Sequence, residues 1–127
     1  MSSSIYYENE TLWVSNARFR TLIEFALEVG QKSAASPEEK AFVQKLREEN
    51  DTILFNGCDF DLNERFATVA SRKFWAKVFF EIGRQIFLRQ IGNQEIDTWQ
   101  TSAICDAHSI GRILVRAVQK GEMGWYP

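Results

Sequence analysis

The sequence is poor in the side chains from which metal and disulfide sites are built, with two cysteines and one histidine among 127 residues. The chain starts with no basic segment leading into an apolar run, so we predict no secretory signal. Cys58 and Cys105 are therefore expected to be free thiols. A metal site needs more ligands than these residues supply. The sequence predicts neither a metal nor a cofactor.

Long apolar runs and an excess of one charge are also missing. No apolar stretch approaches the roughly 18 residues that a membrane-spanning helix needs. Lys and Arg total 15 against 17 Asp and Glu, and a formal charge of −2 gives no general attraction for a polyanion. We expect a cytoplasmic protein that does not bind membranes. Nucleic-acid binding would need a local basic face, and its candidate residues are Arg65, Arg72, Arg112 and Arg116.

Motifs that mark chemistry are missing too. The sequence has no glycine-rich phosphate loop, no zinc-spaced set of Cys and His, and no serine nucleophile elbow. The run from Asp59 begins like a calcium loop, but Glu64 stands at the sixth position and Ala70 at the twelfth, where the loop needs Gly and Glu. We therefore predict no enzyme and no calcium site.

Apolar residues are plentiful, at 45% of the chain, and include ten Phe and four Trp. This composition is typical of a folded globular protein. A chain of this length can bury one sizeable core. We expect a single compact helical domain over residues 1–127, a bundle of four or five helices.

Capping signals mark the first two helices. Ser15 or Asn16 is a good N-cap for a helix with one apolar face. Ser36 and Pro37, followed by Glu39, combine an N-cap, a Pro at the first helical position and a capping-box Glu. The helix that Pro37 begins holds few apolar residues, so it should lie on the surface.

Two further helices carry most of the predicted core. After a stretch interrupted near Ser71, residues 72–91 form a central helix that is apolar over more than half of its circumference. Such a helix is the centre of a bundle or buries one side in a homodimer. A last helix runs from residue 97 or 98 to Gly121. The glycines inside helices predict close helix contacts; they are Gly30, Gly83 and Gly111.

A minor β element is predicted beside the helices. Residues 52–60 contain an apolar run, the Asn56-Gly57 turn and a short alternating segment, the local signature of a hairpin. Residues 10–14 could add a strand. The predicted fold class is therefore mainly α, with a β-hairpin or small sheet in these two regions.

The stretch ICDAHSIGR in the last helix holds a thiol, a carboxylate and the only histidine, the residue types of a cysteine nucleophile with its acid and base. A helix turns by about 100° per residue, which puts Asp106 on a different side from His108. No catalytic residue is therefore predicted. An enzyme or small-ligand binder using Cys105, His108 and Arg112 stays the alternative.

The same helix has a face of small neutral groups and cations without a carboxylate. Its candidate residues for binding an anion or ligand are Cys105, His108, Ser109, Arg112 and Arg116. Arg112 and Arg116 are four residues apart and could clamp an anion or an acidic partner surface. Alternatively, acids elsewhere in the fold pair with both arginines; the candidates are Glu48, Glu49 and Asp59.

Acidic loops and terminal aromatics suit a binding surface better than a catalytic one. The candidate partner-binding residues are Glu48, Glu49, Asp51, Asp59, Asp61, Trp125 and Tyr126. Because the sequence lacks a catalytic constellation, we expect a nonenzymatic protein-binding module. Size and charge suggest its most specific form, a bacterial immunity-type inhibitor that neutralises a cognate toxin domain through an acidic surface. Nucleic-acid binding is the third function considered.

Overall fold

A computed structural model describes residues 2–52, 59–92 and 98–123. In chain order its elements are β1 (Ser2–Tyr7), β2 (Glu10–Ser15), α1 (Asn16–Ser33), α2 (Pro37–Thr52), β3 (Asp59–Asp61), α3 (Leu62–Arg65), α4 (Val69–Gly92) and α5 (Thr98–Met123). The predicted fold class, a mainly α structure with a small sheet, is confirmed. No helix within the described ranges has both the length and the apolarity to cross a bilayer.

Side-chain caps begin α1 and α2 where the sequence predicts. The Ser15 hydroxyl accepts a hydrogen bond from the Arg18 backbone N–H at 3.1 Å, and Ser36 does the same for Glu39 at 3.1 Å. The Glu39 carboxylate accepts from the Ala35 N–H at 2.9 Å, one residue further back than an ordinary capping box reaches. These bonds satisfy N–H groups that have no partner inside the helix.

The central apolar helix is confirmed as α4, which packs against α5, α1 and α2. Trp75 is 1% exposed; its ring stacks on Phe66 with 5.3 Å between centroids and meets Phe74 edge-on at 5.0 Å. Large aromatic rings therefore fill the space between α4 and its neighbours. As predicted, α2 lies on the surface, and among its residues 37–51 the buried side chains are those of Val43 and Leu46.

The interruption before α4 lies at residues 66–68 and not near Ser71. Thr68 begins α4 by accepting from the Ser71 backbone N–H at 3.1 Å. Arg72, only 4% exposed, donates through Nε to the Phe66 carbonyl at 2.7 Å and also donates to the Asn63 side-chain oxygen. The buried guanidinium thus provides a hydrogen-bond partner for the backbone carbonyl at the break. The apolar periodicity of the sequence does not reveal this hydrogen bond.

The sheet has the strand order β2-β1-β3, with β1 and β2 antiparallel and β1 and β3 parallel. The strand predicted at residues 10–14 is confirmed as β2. The prediction for 52–60 is wrong at Thr52, which belongs to α2, and right at Asp59, where β3 begins. The predicted Asn56-Gly57 turn lies outside the described residues. The strand that pairs with β3 is β1, which the sequence did not predict.

Two of the three helical glycines mark close approaches. A Cβ built on Gly111 would lie 3.0 Å from the Phe80 ring, and one on Gly30 would lie 3.3 Å from Trp75. Around Gly83 the nearest atom would be 3.7 Å away, which is ordinary contact. The predicted close approach of a second backbone fits Gly83, where a Cβ would lie 3.8 Å from the Ile104 carbonyl oxygen of α5, whereas the tight neighbours of Gly30 and Gly111 are side chains.

Candidate functional site

The stretch ICDAHSIGR lies inside α5, and its three reactive side chains point in two directions. Cys105 is an exposed free thiol. His108 is exposed, and its ring meets that of Phe80 edge-on at 5.0 Å. Asp106 is only 5% exposed and turns towards α1. The helix therefore separates the carboxylate from the thiol and the imidazole, as its geometry predicts.

The Asp106 carboxylate is bound by Arg18 of α1. Arg18 Nε donates to Asp106 Oδ2 at 3.1 Å, and the terminal nitrogen of the same guanidinium donates to the same oxygen. This ion pair joins α1 to α5. Within the described residues no three His, Cys, Asp or Glu side chains are grouped so that they could hold a metal ion.

Cations along α5 form a series of contacts with the hairpin made by β1 and β2. Lys120 pairs with Glu8 at 3.2 Å, and one turn earlier Arg116 pairs with Glu10 at 2.5 Å. One further turn back, Arg112 is exposed and has no ion-pair partner in the part of the chain that the structure describes. Arg116 is therefore neutralised within the fold, whereas Arg112 is not.

The acids predicted to pair with these arginines lie elsewhere. Glu49 accepts a hydrogen bond from Arg65 at 3.1 Å, and Asp59 accepts one from the Ser4 hydroxyl at 2.7 Å. The carboxylate that pairs with Arg116 belongs to Glu10 in β2. Sequence spacing could not reveal this pair because it depends on how the hairpin packs on α5.

An open groove runs between β2 and α5. Its volume is about 350 Å³, and it is lined by Glu10, Thr11, Leu12, Ser109, Arg112, Ile113 and Arg116. Three residues of the predicted anion-binding face therefore share one groove. The other two, Cys105 and His108, lie nearer the start of α5. Ser109 also donates its hydroxyl to the Cys105 carbonyl at 2.9 Å within the helix.

The outer face of the sheet carries a second candidate surface. Register places its side chains in two adjacent rows, one of Trp13, Ser4 and Asp59 and one of Thr11, Tyr6 and Asp61. Trp13 is 63% exposed, and neither row contains a Lys or Arg. With Glu64 in the adjoining α3, these side chains form what we name the acidic sheet face: Tyr6, Trp13, Asp59, Asp61 and Glu64.

The carboxylates of the acidic sheet face affect the pKa of the Tyr6 phenol. Partial burial raises the pKa of the Tyr6 phenol, and the carboxylates of Asp61, Asp59 and Glu64 raise it further. A negative charge on the phenol would be repelled by all three. The carboxylate of Asp61 also accepts from the Asn63 backbone N–H at 2.9 Å and so caps α3.

The structure divides the predicted partner-binding residues among several places. Asp59 and Asp61 belong to the acidic sheet face, whereas Glu48 and Asp51 are exposed on α2. Glu49 is mostly buried in its ion pair with Arg65. Trp125 and Tyr126 lie outside the described residues.

Three members of the acidic sheet face are missing from the predicted set: Tyr6, Trp13 and Glu64. The sequence of β2 does not single out Trp13, because Leu12, Trp13 and Val14 are all apolar, but the burial of one neighbour in the structure fixes its direction. Val14 is buried, so Trp13 must point to the opposite, exposed face of the strand.

Comparison with known proteins supplies no residue roles that could be carried over. The chain matches no protein-family model, no curated protein and no solved structure. The case for a function therefore depends on the two surfaces described above, the acidic sheet face and the groove beside α5.

Proposed function

We propose that the chain is a nonenzymatic protein-binding module that holds a basic partner protein on the acidic sheet face. The observation that carries this proposal is the grouping of two aromatic side chains, Trp13 and Tyr6, with three carboxylates that all act on the Tyr6 phenol. Trp and Tyr dominate the binding energy of many protein interfaces. A cationic partner side chain would find both an aromatic ring and a carboxylate here.

The position of this surface in the sheet favours binding without rearrangement. Ser4, in the central strand β1, is 4% exposed and hydrogen-bonds Asp59, so the carboxylate is held in place. Side chains fixed before binding lose less conformational entropy in a complex. The negative potential would also speed the approach of a basic partner.

The most specific form of this proposal is the one drawn from size and charge: a bacterial immunity-type inhibitor, acting in the cytoplasm, that neutralises a toxin domain with a cationic surface. Glu48 and Asp51 add exposed acidic groups on α2. A homodimer is a further proposal. It would use the apolar end of α4, where Phe87, Leu88 and Ile91 are 53%, 50% and 67% exposed.

The test compares two variants with the same change in charge. One carries Asp59→Asn, Asp61→Asn and Glu64→Gln, which keeps a capping side chain at position 61. The control carries Glu24→Gln, Glu28→Gln and Glu38→Gln, three exposed carboxylates on α1 and α2. Each protein is used to capture partners from a lysate, and the captured partner is then purified and titrated by calorimetry.

We expect the acidic-face variant to bind the partner about tenfold or more weakly, and the control to bind it like the wild type. Trp13→Ala should weaken binding at least as much, since an exposed aromatic anchor is lost. Equal affinity for the two charge variants would contradict the proposal, and so would a partner whose affinity does not fall with added salt.

A further inference from the structure

We propose a second binding site beside the outer edge of β2, where an extended acidic peptide segment adds to the sheet as a fourth strand and its carboxylate pairs with Arg112. This site goes beyond the proposed function because it selects the opposite charge and depends on Arg112 and the backbone edge of β2 rather than on the three carboxylates of the acidic sheet face. Its three supports are the free edge of a strand, an unmatched cation and the groove between them.

The first support is the sheet topology. In the order β2-β1-β3, β2 has β1 as its strand neighbour on one side, and no described strand pairs with its other side. Alternate N–H and C=O groups of an edge strand point away from the sheet and can pair with an added strand. Thr11, Trp13 and Ser15 of β2 are exposed, so their side chains are not covered by another element of the described structure.

The second support is the series of ion pairs between α5 and the hairpin. The helix advances about 6 Å in four residues and a strand advances nearly 7 Å in two, so the step from Arg116 to Arg112 matches the step from Glu10 to Leu12 along β2, whereas Glu8 lies in the turn before that strand. Glu8 and Glu10 fill the first two positions as partners of Lys120 and Arg116. The next inward position of β2 holds Leu12, which lines the same groove as Arg112, so an apolar side chain stands where the series would place a carboxylate.

The third support is the groove itself, which has Leu12 and Arg112 in its lining and a volume of about 350 Å³. Its charged side chains are those of Glu10, Arg112 and Arg116, one carboxylate against two guanidinium groups. Because Glu10 already pairs with Arg116, the excess positive charge resides on Arg112. A peptide carboxylate fits this charge, and the apolar Leu12 and Ile113 would contact the aliphatic part of its side chain.

Backbone pairing distinguishes this site from one for a free anion. A single exposed arginine holds a small anion weakly, because the ion pair is largely screened by water. An extended segment adds main-chain hydrogen bonds along the edge of β2, which supply affinity, while Arg112 selects the side chain. The predicted ligand is therefore a strand with an acidic residue at the position opposite Arg112.

The experiment titrates the whole protein with a short capped peptide of alternating Thr and Val that has one central Glu, and follows the β2 amides by NMR. Matched probes replace that Glu with Gln, methylate the amide nitrogens that would face β2, or consist of inorganic phosphate alone. The protein variants are Arg112→Gln and, as the control, Arg84→Gln, which removes an exposed arginine of α4 that pairs with Glu81.

We expect saturable shifts at Thr11, Leu12 and Trp13 with the Glu peptide, and about fivefold or greater weakening with the Gln peptide or in Arg112→Gln. Arg84→Gln should bind like the wild type, and the methylated peptide should not bind. No shift of the β2 amides at millimolar Glu peptide would overturn the proposal. Binding of phosphate as tight as that of the peptide would overturn it as well, because it would show an anion site without strand pairing.

The acidic-face variant of the proposed function serves as a further control. Its substitutions at Asp59, Asp61 and Glu64 leave the outer edge of β2 and Arg112 unchanged, so it should bind the Glu peptide at least as tightly as the wild type does. Loss of the basic partner with retention of the peptide would separate the two surfaces. Loss of peptide binding in this variant would contradict a site on Arg112.

Discussion

Arg18 and Asp106 join α1 to α5 through an ion pair whose two ends differ in exposure. The Arg18 side chain is 38% exposed, whereas that of Asp106 is 7% exposed. The guanidinium can therefore reach water without its partner, but the carboxylate cannot. Substituting Arg18 and substituting Asp106 should therefore lower the stability of the fold by different amounts, because an unpaired buried charge costs more free energy than an unpaired exposed one.

Removing Arg18 should destabilise the fold more than removing Asp106. Arg18→Ala leaves a buried carboxylate without a cation, and we expect the free energy of unfolding to fall by about 2–3 kcal/mol, below the value for a fully buried pair. Asp106→Ala should cost only about 1 kcal/mol, since Arg18 can turn to solvent. Urea unfolding of both variants and of the double variant measures this. A larger loss in Asp106→Ala than in Arg18→Ala would contradict the assignment.

Alanine should stabilise the protein at Gly83 but not at Gly111. Gly83→Ala meets only ordinary contacts, so the better helix propensity of Ala should raise the free energy of unfolding by about 0.5–1 kcal/mol. At Gly111 a Cβ would press on three atoms of the Phe80 ring at 3.0–3.1 Å, and this crowding should cancel or reverse the gain.

A second substitution, at Phe80, tests whether crowding is the reason that alanine is unfavourable at Gly111. Phe80→Leu takes away the ring that the new methyl group would meet. Gly111→Ala should therefore cost less in the Phe80→Leu background than in the wild type, as thermal unfolding of the four proteins would show. If Gly111→Ala stabilises the wild type as much as Gly83→Ala does, the close contact described for α4 and α5 does not exist.

Alkaline pH should weaken the fold through Tyr6. Its pKa in the folded protein is raised, first by burial and then by Asp61, Asp59 and Glu64. In the unfolded chain the phenol ionises near pH 10, so its contribution is fully present below about that pH and is lost as the pH rises through the folded pKa. Urea unfolding on either side of about pH 10 should show a fall in the wild type that is smaller in Tyr6→Phe.

The acidic-face variant refines this prediction. Neutralising Asp59, Asp61 and Glu64 removes the charge contributions but leaves the burial of the phenol, so the folded pKa of Tyr6 should move part of the way back. The alkaline loss of stability should then be smaller than in the wild type, though larger than in Tyr6→Phe. Parallel pH profiles for the wild type and Tyr6→Phe would contradict the raised pKa.

The sequence predicted correctly those features that depend on residues close together in the chain, such as helix starts and the directions of side chains within one helix. Ser15 and Ser36 mark the starts of α1 and α2 because a cap acts within three residues. The same holds for the separation of Asp106 from His108, which follows from helical geometry alone. The break before α4 was misplaced because the buried side chain of Arg72 stabilises it through contacts with more distant groups.

Contacts between distant segments could not be predicted in the same way. Glu10 gives no local sign that it pairs with Arg116, and the serine-rich start of β1 does not have the composition of a central strand. Ser3 and Ser4 are nonetheless buried there, and their hydroxyls donate to the side chains of Asn16 and Asp59. Both candidate surfaces depend on such contacts, which explains why the predicted site residues form only part of each.

The parallel pair of β1 and β3 fixes an order of events during synthesis on the ribosome. The hairpin of β1 and β2 can form as soon as residues 2–15 emerge, but the other edge of β1 stays open until Asp59–Asp61 have been made, 55 residues after Ser4. An open strand edge is a template for pairing with another chain. The nascent protein is therefore most exposed to misassembly while α1 and α2 are being translated, and slower elongation over that stretch should lower the yield of folded monomer.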